Sequence, residues 1–214
     1  RDIQSLGFVD RIIFIDDTFN VPIRRFEEIL KILCKFRFEW FSFLRVQYVT
    51  ENVARMMKES GCRGVYLGVE SSNDGVLKNM NKKATRDGFL RGMELLNKYG
   101  IPTFVAFVVG FPGETQETID ENIAFLNNCD VDFYSTKEFY YMPHTGIHTV
   151  RGKYGLTGMG SKWSHDTMDS QTAAEMKTYM FRNIKKSVFI DPDTSLWYLA
   201  YLYDQGFSFD QIKS

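Results

Sequence analysis

The chain has 214 residues, 44% hydrophobic and 25% charged, with a formal net charge of −1. Those are globular values, which exclude a disordered chain and allow one substantial core, or one domain with a small appendage. The near-zero charge, relieved only by short basic pairs such as Lys82-Lys83 and Lys185-Lys186, gives no electrostatic ground for nucleic acid or a membrane as partner, and no apolar run approaches a membrane span.

Strand and helix signals alternate along the chain, the pattern of a parallel α/β fold. Residues 1–6, RDIQSL, read as the last turns of a helix halted at Gly7, which suggests a piece of a longer protein. Residues 11–16 read as a strand and 24–36 as a helix striped by Phe26, Ile29, Leu30 and Leu33. A strand is predicted over 40–46, and Thr50 caps a helix that Gly61 stops. The apolar strand 64–69, GVYLGV, runs into Glu70, Ser71, Ser72 and Asn73 before a short helical segment ending at Met80. A helix over 86–99 follows, with Leu90, Met93 and Leu96 on one side.

Residues 103–115, TFVAFVVGFPGET, are the most informative stretch. Seven of the eight residues from Thr103 to Gly110 are neither polar nor charged, so both faces of this strand should be covered by protein. Gly110 and Gly113 permit positive φ while Pro112 fixes one turn residue, giving a tight loop between strand and helix. The helix 116–127 points Ile119, Ile123 and Leu126 inward, and 132–140 is the last strand. Residues 142–160 read as a long irregular segment. A helix over 171–186 follows, with Thr172 and Glu175 spaced as a capping box and a stripe of Met176, Met180 and Ile184. The final helix, 192–205, carries Leu196, Leu199 and Tyr203 and ends at Gly206. The chain thus divides at residue 141, into 1–141 and a loop and helical extension, 142–214, of which 151–214 are expected to be able to cover the mouth of the first unit.

Two strands that end in polar residues point to a ligand at the carboxyl edge of the sheet, in either a barrel or a doubly wound form. Periodicity does not separate those two forms. A dinucleotide fold is disfavoured, because the first strand ends in DDTFN and not in a glycine-rich turn.

Three motifs, IIFIDDTFN (12–20), GVYLGVESSNDGVLKNMNKKAT (64–85) and VAFVVGFPGETQETIDENIAFL (105–126), together resemble the radical S-adenosylmethionine (SAM) enzymes, in particular the branch with cobalamin-binding and methylthiotransferase-like relatives. The resemblance covers about residues 1–141. It implies a partial (β/α)6 barrel lacking its first strand, with a helical C-terminal extension. It further implies reductive cleavage of SAM by a [4Fe–4S] cluster, with methyl transfer in cobalamin-dependent branches.

The cluster-binding CxxxCxxC loop of that family is not in this sequence. Cys34, Cys62 and Cys129 are too far apart to form it and read as small buried thiols of a protein in a reducing cytoplasm. The resemblance therefore places the cluster ligands upstream, leaving this piece inactive alone and able to self-associate through the open strand edge at 11–16.

The resemblance also assigns cofactor contacts. Asp16 and Asp17 fall where the amino group of SAM is held, and alternation turns only one of them inward; an Asx-type turn is the structural alternative. Arg45 is either cofactor-facing or paired with Glu70. Glu70 and Ser71 match the ribose site, since a carboxylate accepts from two neighbouring hydroxyls. Lys82 falls where the SAM carboxylate is bound, against the alternative of a solvated lysine. Gly110, Phe111, Pro112, Gly113 and Glu114 match the loop supporting adenine, with Glu114 alternatively holding that loop through backbone N–H groups. Ala106 stands where the family often has Gly. His144, His148 and His165 suggest structural or substrate-facing roles, and no metal site is assigned. The competing function is a non-redox barrel, either a metal-dependent lyase built on Asp16, Glu70 and Glu114 or a binding module. The substrate, a small molecule or a peptide, is left open.

Overall fold

The computed structural model describes residues 2–191 and 195–213. In chain order the elements are α1 (Asp2–Ser5), β1 (Arg11–Phe14), α2 (Ile23–Leu33), β2 (Glu39–Leu44), α3 (Glu51–Glu59), β3 (Cys62–Glu70), α4 (Asp74–Asn79) and α5 (Arg86–Lys98). Then come β4 (Thr103–Val109), α6 (Gln116–Asn128), β5 (Phe133–Glu138), α7 (Gly146–Thr149), β6 (Thr157–Met159), β7 (Lys162–His165) and β8 (Met168–Asp169). The chain closes with α8 (Ser170–Asn183), β9 (Val188–Phe189), α9 (Ser195–Asp204) and α10 (Phe209–Lys213). Among the described residues, no helix is long and apolar enough to cross a membrane.

One sheet holds β1-β2-β3-β4-β5-β9 in that spatial order, all parallel. Successive strands neighbouring one another through helical crossovers is the topology of a (β/α) barrel wall. The sixth strand here is Val188–Phe189 from the extension, so β5 is not the last strand as the sequence reading has it. β1 has one neighbour, β2, and its other edge carries no strand among the described residues.

Alternation sorts the strand side chains into two layers. Trp40, Leu44, Val65, Leu67, Val69, Val105, Phe107 and Tyr134 face the helices and join Phe26, Leu30, Met57, Phe89, Leu96, Ile119 and Leu126 in the main core. Phe41, Phe104 and Phe133 face the concave side and pack on Leu199 and Ala200 of α9. Each such ring removed from water contributes about 2–3 kcal/mol.

Contacts at the amino ends of the strands fix where α9 and α10 lie: Arg11 pairs with Asp204, and Lys213 pairs with Asp132 at 2.7 Å. The end of the extension therefore packs at the amino end of the barrel, whereas its β6–β8 meander and α8 lie beside the loop after β4. Residues 192–194 of the predicted last helix, and Arg1, lie outside the described residues.

The segment expected to be irregular is largely ordered. After α7 and a 3-10 turn, Arg151–Tyr154, β6, β7 and β8 form a three-stranded antiparallel meander. Helix α8 begins earlier than predicted because the Asp169 carboxylate accepts the Thr172 N–H at 2.8 Å. Thr172 is thus inside the helix and forms no capping box with Glu175. Thr50 and Asn73 cap α3 and α4 through the N–H groups of Val53 and Val76.

Candidate functional site

The carboxyl ends of β2 and β3 open into a cleft of about 250 Å³ lined by Asp17, Thr18, Arg45, Tyr66, Gly68, Glu70 and Lys82, with Phe43 and Leu44 beside them. Its central feature is an ion pair: the Lys82 ammonium donates to Glu70 Oε1 at 2.9 Å, both side chains about one-quarter exposed. Two local features aim Glu70. The β3–β4 register shifts between Gly68 and Glu70, and Glu70 has φ +67°, a left-handed conformation uncommon for a non-glycine residue. Bulges and such backbone settings redirect side chains at strand ends and concentrate at functional sites. Gly68 makes room: a Cβ there would lie 2.5 Å from Glu70 Oε1 and 3.2 Å from Lys82 Nζ.

The remaining residues predicted to bind cofactor are distributed unevenly. β1 ends at Phe14, so Asp16 and Asp17 lie in the turn beyond it, both exposed, and of the two only Asp17 lines the cleft. β2 ends at Leu44, which places Arg45 outside the strand, at the start of a 3-10 turn. Arg45 lines the cleft, but the partner of Glu70 is Lys82 and not Arg45. The Arg45 backbone is clamped by Asn20, which accepts its N–H at 3.0 Å and donates to its carbonyl at 2.9 Å. Ser71 is fully buried and turned from the cleft, its hydroxyl 3.5 Å from Asn122 Oδ1.

Asn122, on α6, is the residue that the sequence reading missed. Its Oδ1 accepts the Ser72 N–H at 2.7 Å and the Ser72 hydroxyl at 2.8 Å, and its Nδ2 donates to Glu114 Oε1 at 3.2 Å. The other Glu114 oxygen accepts the Gly110 N–H at 2.5 Å. A buried chain thus ties the loop after β3 to the loop after β4. Burial pushes the Glu114 carboxyl up to about 7, against the opposing hydrogen bonds from Gly110, Asn122 and Phe111. The one visible signal was Asn122 itself, a polar residue on the buried stripe with Ile119 and Leu126.

Gly110 has φ +89°, and a Cβ on it would lie 2.5 Å from the Trp163 ring and 2.7 Å from the Ala173 Cβ. Trp163 is in turn fixed by its indole N–H, which donates to the Phe139 carbonyl at 2.7 Å. The far side of the Gly110–Glu114 loop is therefore built by the meander and α8. Phe111 packs edge-on against Phe139, with centroids 5.1 Å apart. Pro112 is held through its carbonyl, which accepts Asn79 Nδ2 at 3.0 Å.

SAM carries an ammonium, a carboxylate and a ribose diol, and the cleft offers carboxylates at Asp17 and Glu70, cations at Arg45 and Lys82, and a bare backbone face at Gly68. Those groups fit the molecule. An iron–sulfur cluster does not fit the cysteines present: Cys62 is buried with its thiol pushed up to about 12, Cys129 is half-buried with its thiol raised by the same desolvation, and the three are dispersed. Cys34 is exposed and not buried as expected, because α2 stops at Leu33 and leaves it as the cap. Among the described residues, no three His, Cys, Asp or Glu side chains are grouped to hold a metal ion. The carboxylates proposed for a lyase site diverge, with Glu114 in the core and Glu70 in the cleft.

A larger cleft, about 720 Å³, lies at the amino ends of the strands, beside Arg11, Glu39, Arg63, Asp132 and Tyr203. These four charges are already paired: Glu39 accepts from Arg11 and from Arg63, both at 2.7 Å, and Asp132 accepts from Lys213. Ligands of parallel α/β folds collect at the opposite edge.

The chain is 33% identical over 127 residues to an uncharacterized methyltransferase of Pyrococcus horikoshii, covering 58% of this chain and 28% of that protein. It is 31% identical over 130 residues to a tRNA-2-methylthio-N(6)-dimethylallyladenosine synthase of Oceanobacillus iheyensis, covering 56% and 24%. The fold is similar to that of the radical SAM methyltransferase TsrM of Kitasatospora setae, at 21% identity. The structure with cobalamin and a [4Fe–4S] cluster gives a TM-score of 0.63 and covers 69% of this chain and 31% of that one; the structure with tryptophan and aza-SAM gives 0.64, covering 71% and 31%. The chain thus spans 24% to 31% of the length of these proteins. Residues 1–126, more than half of the chain, match the Radical SAM superfamily, and the chain belongs to that superfamily.

Proposed function

We propose that this chain forms the SAM-holding wall of a radical SAM enzyme whose cluster cysteines are supplied by sequence outside these 214 residues. SAM and the cluster supply one-electron chemistry when both are bound. The observation that carries the reading is the Glu70–Lys82 pair, set across Gly68 at the carboxyl ends of β2 and β3 in a chain of this family. Glu70 accepts the ribose hydroxyls, Lys82 and Arg45 hold the carboxylate, and Asp17 takes the ammonium. Before binding, Glu70 and Lys82 satisfy each other; SAM exchanges that pair for an ion pair at Lys82 and charge-assisted hydrogen bonds from its ribose hydroxyls to Glu70. The Gly110–Glu114 loop supports the adenine and excludes water.

The reaction class is methyl or methylthio transfer, a reading supported by the names of the relatives, with cobalamin as a further cofactor if the whole protein carries a domain for it. The test is anaerobic reconstitution of the protein extended to include its cluster loop. Cluster absorption and SAM cleavage are expected. Failure of both, with divalent-metal binding instead, favours a non-redox barrel.

A further inference from the structure

The Gly110–Gly113 turn is gripped at both ends by one short stretch of the extension. His165, buried at the end of β7, places Nε2 3.0 Å from the Gly110 carbonyl. Two residues on, Thr167 places its hydroxyl 3.3 Å from the Gly113 N–H and 3.2 Å from His165 Nδ1, while its own N–H lies 3.3 Å from the same Nδ1. Only one assignment of protons satisfies all four contacts. The Thr167 oxygen accepts from Gly113, its hydrogen goes to Nδ1, Nδ1 also accepts the Thr167 N–H, and Nε2–H donates to the Gly110 carbonyl. The ring is thus neutral with its proton on Nε2, and burial, which lowers the His165 pKa, favours that neutral form. Trp163 stacks parallel on His165, centroids 5.1 Å apart, and fixes the plane of the ring.

Thr167 and His165 each both donate and accept, so the contacts run in one direction from the Gly113 N–H to the Gly110 carbonyl, and a shift of the turn breaks the His165 bond at one end or the Thr167 bond at the other. The same turn is tied from its other side by Glu114 to Gly110, and by Asn79 to Pro112. We infer that His165 and Thr167 are positioning residues, which hold the Gly110–Gly113 turn in its cofactor-receiving shape and so couple the extension to SAM affinity. This inference rests on the proposed function, since it takes the turn to be part of the SAM site.

The test compares Thr167→Val, which keeps the shape and loses the hydroxyl, with Thr167→Ser, which keeps the hydroxyl, and with His165→Phe, which keeps the stack on Trp163 and loses both nitrogens. Amide hydrogen exchange at Gly113 and SAM affinity are both measured, in the full-length, cluster-loaded protein. Thr167→Val and His165→Phe should speed exchange and weaken SAM binding, each by about tenfold, and Thr167→Ser should stay within about twofold of the parent. Unchanged exchange in Thr167→Val, or faster exchange with unaltered SAM affinity, overturns the inference, as does a Thr167→Ser variant that behaves like Thr167→Val. If the parent itself fails to bind SAM, the proposed function falls, an outcome separable from the other two because it is seen without any substitution.

Discussion

Glu70 and Lys82, twelve positions apart in sequence, meet at 2.9 Å over the backbone of Gly68, and this contact joins the end of β3 to the loop after α4. With the pair at the core of the SAM site, removing either member removes a charge-assisted contact to the ligand. Glu70→Ala and Lys82→Ala should each weaken SAM binding by at least about tenfold, or ~1.4 kcal/mol. Titration calorimetry on the cluster-loaded protein measures this. The fold should change little, because the pair is partly exposed and such pairs contribute about 1 kcal/mol or less to stability. Unaltered SAM affinity in both variants removes the pair from the site.

Gly68 leaves the space that the Glu70 carboxylate occupies. A methyl group at position 68 meets the Glu70 carboxylate at 2.5 Å and displaces it from Lys82. Gly68→Ala should therefore reproduce most of the affinity loss of Glu70→Ala with both charges still present. A Gly68→Ala protein with wild-type affinity indicates that Glu70 can swing clear and still bind.

Glu114 gives the fold a pH dependence whose sign is fixed by its raised pKa. The carboxyl has a folded-state pKa of about 7 and an ordinary value of 4.5. The folded state therefore holds the proton more tightly than the unfolded chain. The stability linked to that proton is fully present below about 4.5 and is lost as pH rises through about 7, on the order of a few kcal/mol in all. Urea unfolding at pH 5 and pH 8 should show Glu114→Gln losing less stability across this window than the parent. Equal losses in both proteins would assign the slope to other groups.

Much of this architecture could be read from the chain. The strand 103–109 was visible because it is apolar on both faces, and α6 because Ile119, Ile123 and Leu126 recur at helical spacing. Glu70 and Lys82 were reached only through the family resemblance, because nothing local brings together residues twelve apart. The sixth strand, Val188–Phe189, is two residues long and has no periodicity to detect. The meander has a short alternation, Trp163 and His165 buried around an exposed Ser164, that the surrounding polar residues conceal. Where α9 docks depends on Phe41, Phe104 and Phe133, on three different strands, and no local pattern encodes it. Ser71, assigned with Glu70 by the resemblance, is buried beside Asn122, whereas Glu70, at the register shift, lines the cleft.

The extension can be divided by function more finely than at residue 141. Tyr154, from residues 142–160, reaches the Gly110–Glu114 loop indirectly, its hydroxyl donating to Asn79 Oδ1 at 3.1 Å and Asn79 in turn donating to the Pro112 carbonyl, whereas Trp163, His165 and Thr167 meet that loop directly. Substrate choice belongs on segments that vary over a shared scaffold. Exchanging residues 142–160 with the matching segment of a relative should therefore alter substrate preference and leave SAM affinity within about twofold, a margin well under one hydrogen bond. Extending the exchange to residue 169 replaces the grip as well, and should lower SAM affinity by about tenfold unless the donor supplies equivalents of His165 and Thr167. Both chimeras are read by SAM calorimetry and by product formation with the substrates of parent and donor. If the shorter exchange abolishes SAM binding while the longer one spares it, residues 142–160 hold the SAM site and residues 161–169 do not.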